Sequence, residues 1–313
     1  MSQSTLAETP DISRASDGAK QSTYAPPGSF DPRVYQILTL ASLLFYGVWK
    51  LDFEIALPQI VISLASALTT QALCARFWRL PSFDPKSALI SGLSLCLLLR
   101  TNSLWLAAAG AAVAIGGKFV LRWHGKHLFN PTNFGIVALM LVTDSKVWVS
   151  PGQWGNVAFF GFLMACLGGL VVTRAARTDI TLTWLAVYLG LVFGRSLWLG
   201  EPLTIPLHRL QSGSLLLFAF FMISDPKTTP DSRWGRILFA ALVAYGAWWV
   251  QFRIFRTNGP LWSLALCSFM TPLIDKLLPG PRYSWRSPLP PEGKRQTISP
   301  HSSNTLSPLL AAS

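Results

Sequence analysis

Charge is what this chain has least of. Asp, Glu, Lys and Arg make up 13% of its 313 residues, while apolar residues make up 51%, and soluble domains carry about 25% charged residues. Mean hydropathy is +0.40. An ordinary soluble domain is excluded, and the thirteen Trp and nineteen Phe suit the aromatic belts of a bilayer protein. Carboxylates number only fourteen, and few lie inside apolar runs, so a proton-relay pump finds little support. The four cysteines (Cys74, Cys96, Cys166 and Cys267) are far apart with no CxxC. Neither a disulfide framework nor a protein-built zinc or iron–sulfur site is indicated, and they read as buried thiols. No nucleophile elbow, Walker loop, HExxH or dinucleotide glycine fingerprint occurs. The first 34 residues lack the basic start and apolar core of a signal peptide.

The charge that is present is mostly basic. The net charge of +12 would suggest nucleic acid in a soluble chain. Here the cations lie between apolar runs, which points to positive-inside topology and attraction to anionic lipid, with no nucleic-acid partner. Ten apolar segments can be drawn, at about 35–50, 54–75, 86–100, 103–121, 133–149, 154–173, 179–199, 211–224, 234–252 and 259–277. Most approach the ~20 residues that cross a bilayer as helix. The expected fold is all-α and polytopic, with about ten transmembrane helices. Ser- and Pro-containing tails at 1–34 and 278–313 read as disordered. With both tails on one side, that side holds eighteen Lys and Arg against seven on the other. Both termini are therefore expected in the cytoplasm of a bacterial inner membrane.

The third and eighth segments resemble each other. Each opens on Ser-Gly (Ser91-Gly92, Ser212-Gly213), continues apolar, and ends on a charge (Arg100, Asp225). They hold the third place in two five-span halves, 35–150 and 151–277. Five is odd, so the halves would be inverted. Short, glycine-interrupted spans in matching positions mark a midplane binding site, or simply close helix packing.

Two polar patches meet the expected membrane boundary. In the first, Lys118 precedes His124-Gly-Lys126-His127-Leu-Phe-Asn130-Pro131-Thr-Asn133. Pro131 breaks the helix and frees amides beside Lys118, Lys126 and Asn130, either as a plain N-cap or as a seat for an anion. His124 and His127 read as part of a solvated basic loop rather than as metal ligands. In the second, Phe220-Phe-Met-Ile-Ser-Asp225-Pro-Lys227-Thr228-Thr-Pro230 stops a span on a carboxylate. Asp225 suits helix capping or acceptance of hydrogen bonds from a ring imide.

These patches, in this order and spacing, resemble the NqrB/RnfD family of membrane subunits from sodium-translocating NADH:quinone reductase and the Rnf electron-transport complex. The flavour is that of the stand-alone RnfD-like, UnbU-type branch found beside enediyne-type biosynthetic genes. The resemblance implies a ten-helix flavoprotein of two inverted five-helix repeats, carrying electrons toward quinone with the help of partner subunits. In the family one flavin mononucleotide is joined through its phosphate to Thr of a Ser-Gly-Ala-Thr motif. That motif falls here on Ser212-Gly213-Ser214-Leu215. Leu215 has no hydroxyl, and Ser214 is turned away by about 100° on a helix. The expectation is therefore noncovalent FMN or riboflavin. Its candidate residues are Ser212, Gly213, Ser214, Asp225, Lys227, Thr228, Lys118, Lys126, Asn130, Ser91 and Gly92, with no metal. A small-solute or ion transporter on the same scaffold, and a membrane scaffold for a biosynthetic cluster, are the competing readings.

Overall fold

The computed structural model describes residues 31–51, 53–80, 83–144, 146–150, 167–173, 175–210 and 212–283. Most of the sixth apolar segment, Cys166, residues 1–30 and residues 284–313 lie outside them. Helix α1 (Pro32–Lys50) starts inside the stretch assigned to the N-terminal tail, because Pro32 suits a first helical turn and the Asp31 carboxylate accepts from the Arg33 amide at 3.0 Å. It is followed by α2 (Leu57–Phe77), α3 (Lys86–Leu98), α4 (Leu104–Val120) and α5 (Pro131–Val142). Residues 167–173 are helical. Then come α6 (Thr178–Leu199), the short α7 (Thr204–Leu210), α8 (Gly213–Leu217), α9 (Arg233–Phe252), α10 (Gly259–Ser268) and α11 (Thr271–Leu277).

Among the described residues, two helices, α2 and α6, are long and apolar enough to span a bilayer by length and composition. Their burial pattern is more telling. The buried residues of α2 are Gln59, Ser63, Ala67, Gln71 and Ala75, spaced by four, while Leu57, Val61, Leu73 and Phe77 are exposed. Polar and small side chains thus face the protein and large apolar ones face outward, the reverse of a soluble helix and the pattern of close packing in lipid. Exposed Trp105, Trp198 and Trp249 extend the apolar exterior.

Among the described residues, several segments depart from single helices. The fifth ends at Val142, and β4 (Val147–Val149) pairs antiparallel with β1 (Leu99–Thr101), Arg100 facing Trp148. Between them, β2 (Arg122–Trp123) and β3 (Lys126–His127) form a second small ladder. The eighth passes from α8 into a π-helical turn at Phe218–Met222, closed by the Ile223 amide on the Phe218 carbonyl at 3.0 Å. The tenth divides between α10 and α11, where Pro272 begins a new helix. The all-α expectation thus omits these ladders.

Helix packing has a recurring order. In the first half α2 packs on α4, and α4 on α5; in the second, α6 packs on α9, and α9 on α10; α5 meets α10 between them. Gly135 sets the α4–α5 distance: a Cβ there would lie 2.8 Å from both the Gly110 carbonyl oxygen and the Ala114 Cβ. Backbone cannot yield as a side chain can, so Gly135→Ala is expected to cost about 1–3 kcal/mol, read as a lower thermal midpoint in detergent. The last described residues do not trail away. Tyr283 is buried beneath Arg177, whose guanidinium carbon lies 4.8 Å from the ring centre.

Candidate functional site

Seven of the eleven predicted residues line two cavities at opposite ends of the helices. The tail-side cavity, about 260 Å³, lies where α1 begins, α4 ends and α5 begins, and where the π turn leads into residues 223–227. Ser91, Lys118, Asn130, Asp225 and Lys227 line it, as do Arg33, Arg122, His127 and Thr132. The far-side cavity, about 410 Å³, has Ser212, Ser214, Leu215 and Phe218 on one wall and Trp148, Tyr188, Arg209, Gln251 and Asn258 around it. Gly213 is buried beside it.

At the tail-side cavity, Asn130 performs two tasks. Its side-chain oxygen accepts from the Asn133 amide at 3.1 Å, capping α5. Its amide group donates to the Met222 carbonyl at 3.3 Å and to the Asp225 carboxylate at 3.4 Å. Two patches that are 95 residues apart are joined there. The other Asp225 oxygen accepts from the Lys227 amide at 3.0 Å. Burial pushes the Asp225 carboxyl upward, against that hydrogen bond and the positive charge of Lys227. Burial also lowers Lys227, whose ammonium donates to the Tyr283 carbonyl at 3.1 Å.

Lys118 is 6% exposed. Its ammonium donates to Gln71 at 2.5 Å and to Ser87 at 3.1 Å, both neutral acceptors. Lys126 does not join it. It turns away from the cavity, between Asp231 at 3.0 Å and Asp275 at 2.7 Å, so the anion-binding role suggested by sequence is already filled by two carboxylates. Gly92 packs α3 on α2, where a Cβ would come 2.9 Å from a Leu64 methyl. The Thr228 hydroxyl donates to the Asp225 carbonyl at 3.3 Å and shapes the turn from behind.

His127 is an active wall residue rather than part of a solvated loop. Its Nδ1 lies 2.9 Å from the Lys118 carbonyl. Burial first, then the charges of Arg122 and Lys118, push it down from 6.5 to about 4. It is neutral at physiological pH and donates to that carbonyl. The stability it lends is complete above the unfolded value and drains away as pH falls through the window from 6.5 toward 4. On the order of 2–3 kcal/mol of acid-side loss is expected, and His127→Gln is expected to flatten it in thermal midpoints measured across that window.

Arg100, Arg122 and Arg177 were missed as site candidates. Arg100 is 2% exposed. One of its nitrogens donates to the Cys96 and Leu99 carbonyls. Its Nε and Nη2 find no acceptor among the described residues. Its signal was a cation at the end of an apolar run. Arg177 is fully buried, donates to the Pro226 carbonyl at 3.5 Å, and is lowered to about 10 by burial. Nothing local in sequence marks it. Among the described residues, no group of three or more His, Cys, Asp or Glu is placed to hold a metal.

For a covalent flavin the far-side residues do not fit. Leu215 stands where an acceptor hydroxyl is required, and the Ser214 hydroxyl is held by that of Ser212 at 2.8 Å. The aromatic and polar walls still suit a planar ligand bound without a covalent bond.

Outward apolar faces and inward polar stripes are those of a mostly helical membrane protein, with a cavity at each end of its helices. Residues 33–158 and 149–283 match the profile of the NQR2, RnfD, RnfE family, and the chain belongs to that family. Three relatives are each named as a component of an ion-translocating oxidoreductase complex. The protein of Halorhodospira halophila is 26% identical, the match covering 76% of this chain and 87% of its own. That of Cronobacter sakazakii is 25% identical, covering 78% and 92%. That of Stutzerimonas stutzeri is 27% identical, covering 69% and 81%.

Proposed function

We propose that this chain is the membrane subunit of an ion-translocating oxidoreductase complex. It binds flavin noncovalently and passes electrons between a partner subunit and quinone. The observation that carries the reading is that one continuous segment builds both cavities. Ser212, Ser214, Leu215 and Phe218 line the far-side one, and Phe221, Ser224, Asp225 and Lys227 line the tail-side one. Between them the Trp184 ring lies 4.8 Å from Phe218 and stacks on Tyr188 at 4.9 Å.

The recurring packing order supports two inverted five-helix repeats, and the excess of cations near the tails supports a cytoplasmic tail-side cavity in an inner membrane. A bound flavin supplies the electron chemistry. The chain supplies position and electrostatics. Lys118 offers a fixed positive charge in a site of low dielectric. Asp225, raised by burial, can hold a proton at its carboxyl. Asn130 offers an amide to a ring edge, and Phe221 and Ile90 exclude water from the wall.

The test is reconstitution in liposomes. Chemically reduced protein is expected to be reoxidised by a water-soluble quinone, with no solute uptake in the absence of redox partners. Uptake without them, together with inertness toward quinone, would favour a transporter.

A further inference from the structure

A second tail-side cleft, about 560 Å³, lies between the β2–β3 hairpin, α11 and Arg282. Two turn residues hold the hairpin. His124 and Gly125 have φ of 47° and 78°, the left-handed pair that a two-residue turn between twisted strands requires. The Arg282 guanidinium donates to the His124 carbonyl at 2.7 Å, which ties the chain after α11 to that turn. Lys126, Lys276 and Arg282 line the cleft together with Asp231 and Asp275. Lys126 is committed to both carboxylates, at 3.0 Å and 2.7 Å. Lys276 and Arg282 are exposed, and neither has a carboxylate within ion-pair distance among the described residues. Three cations against two carboxylates leave the cleft with one positive charge.

Next to these cations the surface is apolar. Leu266 and Phe269, followed by Leu273 and Leu277 on α11, are exposed at helical spacings of three and four residues. Leu273 also lines the cleft, so the apolar face runs into the charged one. On the hairpin wall Trp123 is exposed, its ring 5.0 Å from that of His124. A tryptophan and two unpaired cations at the end of a lipid-facing helix are the pattern of the headgroup layer.

We infer that this cleft seats one anionic phospholipid, its phosphodiester held by Lys276 and Arg282 and an acyl chain lying along Leu273, Phe269 and Leu266. A phosphodiester carries a single negative charge and balances the cleft. The zwitterionic headgroup of phosphatidylcholine leaves it positive. Residues 284–313 of the chain hold Arg286, Lys294 and Arg295 against Glu292, and so carry the wrong sign to fill it. The site is separate from the flavin reading, since Lys118, Asn130 and Asp225 do not line it.

The experiment is a fluorescence-anisotropy titration of the full chain in a neutral detergent, with tail-labelled phosphatidylglycerol and phosphatidylcholine as separate probes. Phosphatidylglycerol is expected to bind at least about tenfold more tightly. Lys276→Gln combined with Arg282→Gln is expected to bring it within about twofold of phosphatidylcholine, whose own affinity stays unchanged and shows that the variant folds. Arg253→Gln combined with Arg256→Gln removes two exposed cations beyond the other end of α9 and is expected to alter neither lipid by more than about twofold. Equal affinities for the two lipids in the wild type would overturn the inference and leave the cleft to an acidic segment of a partner protein. A preference that survives loss of Lys276 and Arg282, or that falls equally in the other variant, would reduce it to general surface charge and overturn it too. Displacement of the lipid by an equal concentration of glycerol 3-phosphate would make the ligand a soluble phosphate ester and overturn the lipid assignment.

Discussion

Asn130→Ala is expected to lower unfolding stability by about 2–4 kcal/mol and to abolish measurable flavin binding. Loss of the cap on α5 accounts for about 1 kcal/mol. The rest comes from leaving the Met222 carbonyl and the Asp225 carboxylate without a donor in a buried place, about 1–3 kcal/mol. For a domain of this size the thermal midpoint should fall by roughly 5–15 °C. Asn130→Asp separates the two tasks. It keeps the capping oxygen but places a carboxylate opposite Asp225, so the helix start should survive while the tie across the cavity fails. Asp225→Asn goes the other way. Because burial raises the Asp225 carboxyl, its contribution is present at low pH and is lost as pH rises. Removing the charge should leave the midpoint at neutral pH equal or higher, while changing ligand affinity.

Lys126→Met is expected to cost about 3–5 kcal/mol, the usual result of removing one partner from a buried ion cluster. Its side chain is 11% exposed and those of Asp231 and Asp275 12% and 20%. Asp275 also accepts from the Asp231 amide at 2.8 Å, so the lysine ties the β2–β3 hairpin to α11 and to the turn before α9. The double variant Lys126→Met with Asp275→Asn should recover part of the loss, by removing one of the two charges left facing each other. Thermal unfolding of the two variants, together with flavin affinity, checks this. A variant that kept its stability but lost ligand would return Lys126 to the binding role that its sequence position suggests.

The contrast between Lys118 and Lys126 shows how far the sequence could be read. Both are lysines beside a helix break, and both invite an anion. What separates them is Asp231 and Asp275, more than a hundred residues from Lys126 in the chain, and no local pattern reports such partners. Apolar runs coincide with most of the described helices because lipid-facing residues are apolar whatever they pack against, but they omit the short helix Thr204–Leu210. Hydropathy misjudged helix ends where backbone chemistry intervened: β4 pairing with Leu99–Thr101, the π turn at Phe218–Met222, and the new helix at Pro272. Ser212 and Asp225 line different cavities because the helical segment between them separates its ends. Gly92 failed as a site residue because Leu64, on another helix, fills the space in front of it. His127 was read as part of a solvated loop because its neutrality is produced by burial, which the surrounding Lys, His and Gly residues do not announce.

The most direct test of the central claim is the fate of flavin on acid precipitation. Protein expressed with its neighbouring genes is purified in detergent, its visible absorbance is recorded, and the protein is then precipitated with acid. A flavin spectrum before precipitation, with the flavin released entirely to the supernatant, is the expected result, since Leu215 offers no hydroxyl for a phosphoester bond. Flavin retained in the pellet would contradict the noncovalent assignment, and absence of flavin from both fractions would contradict the redox function itself.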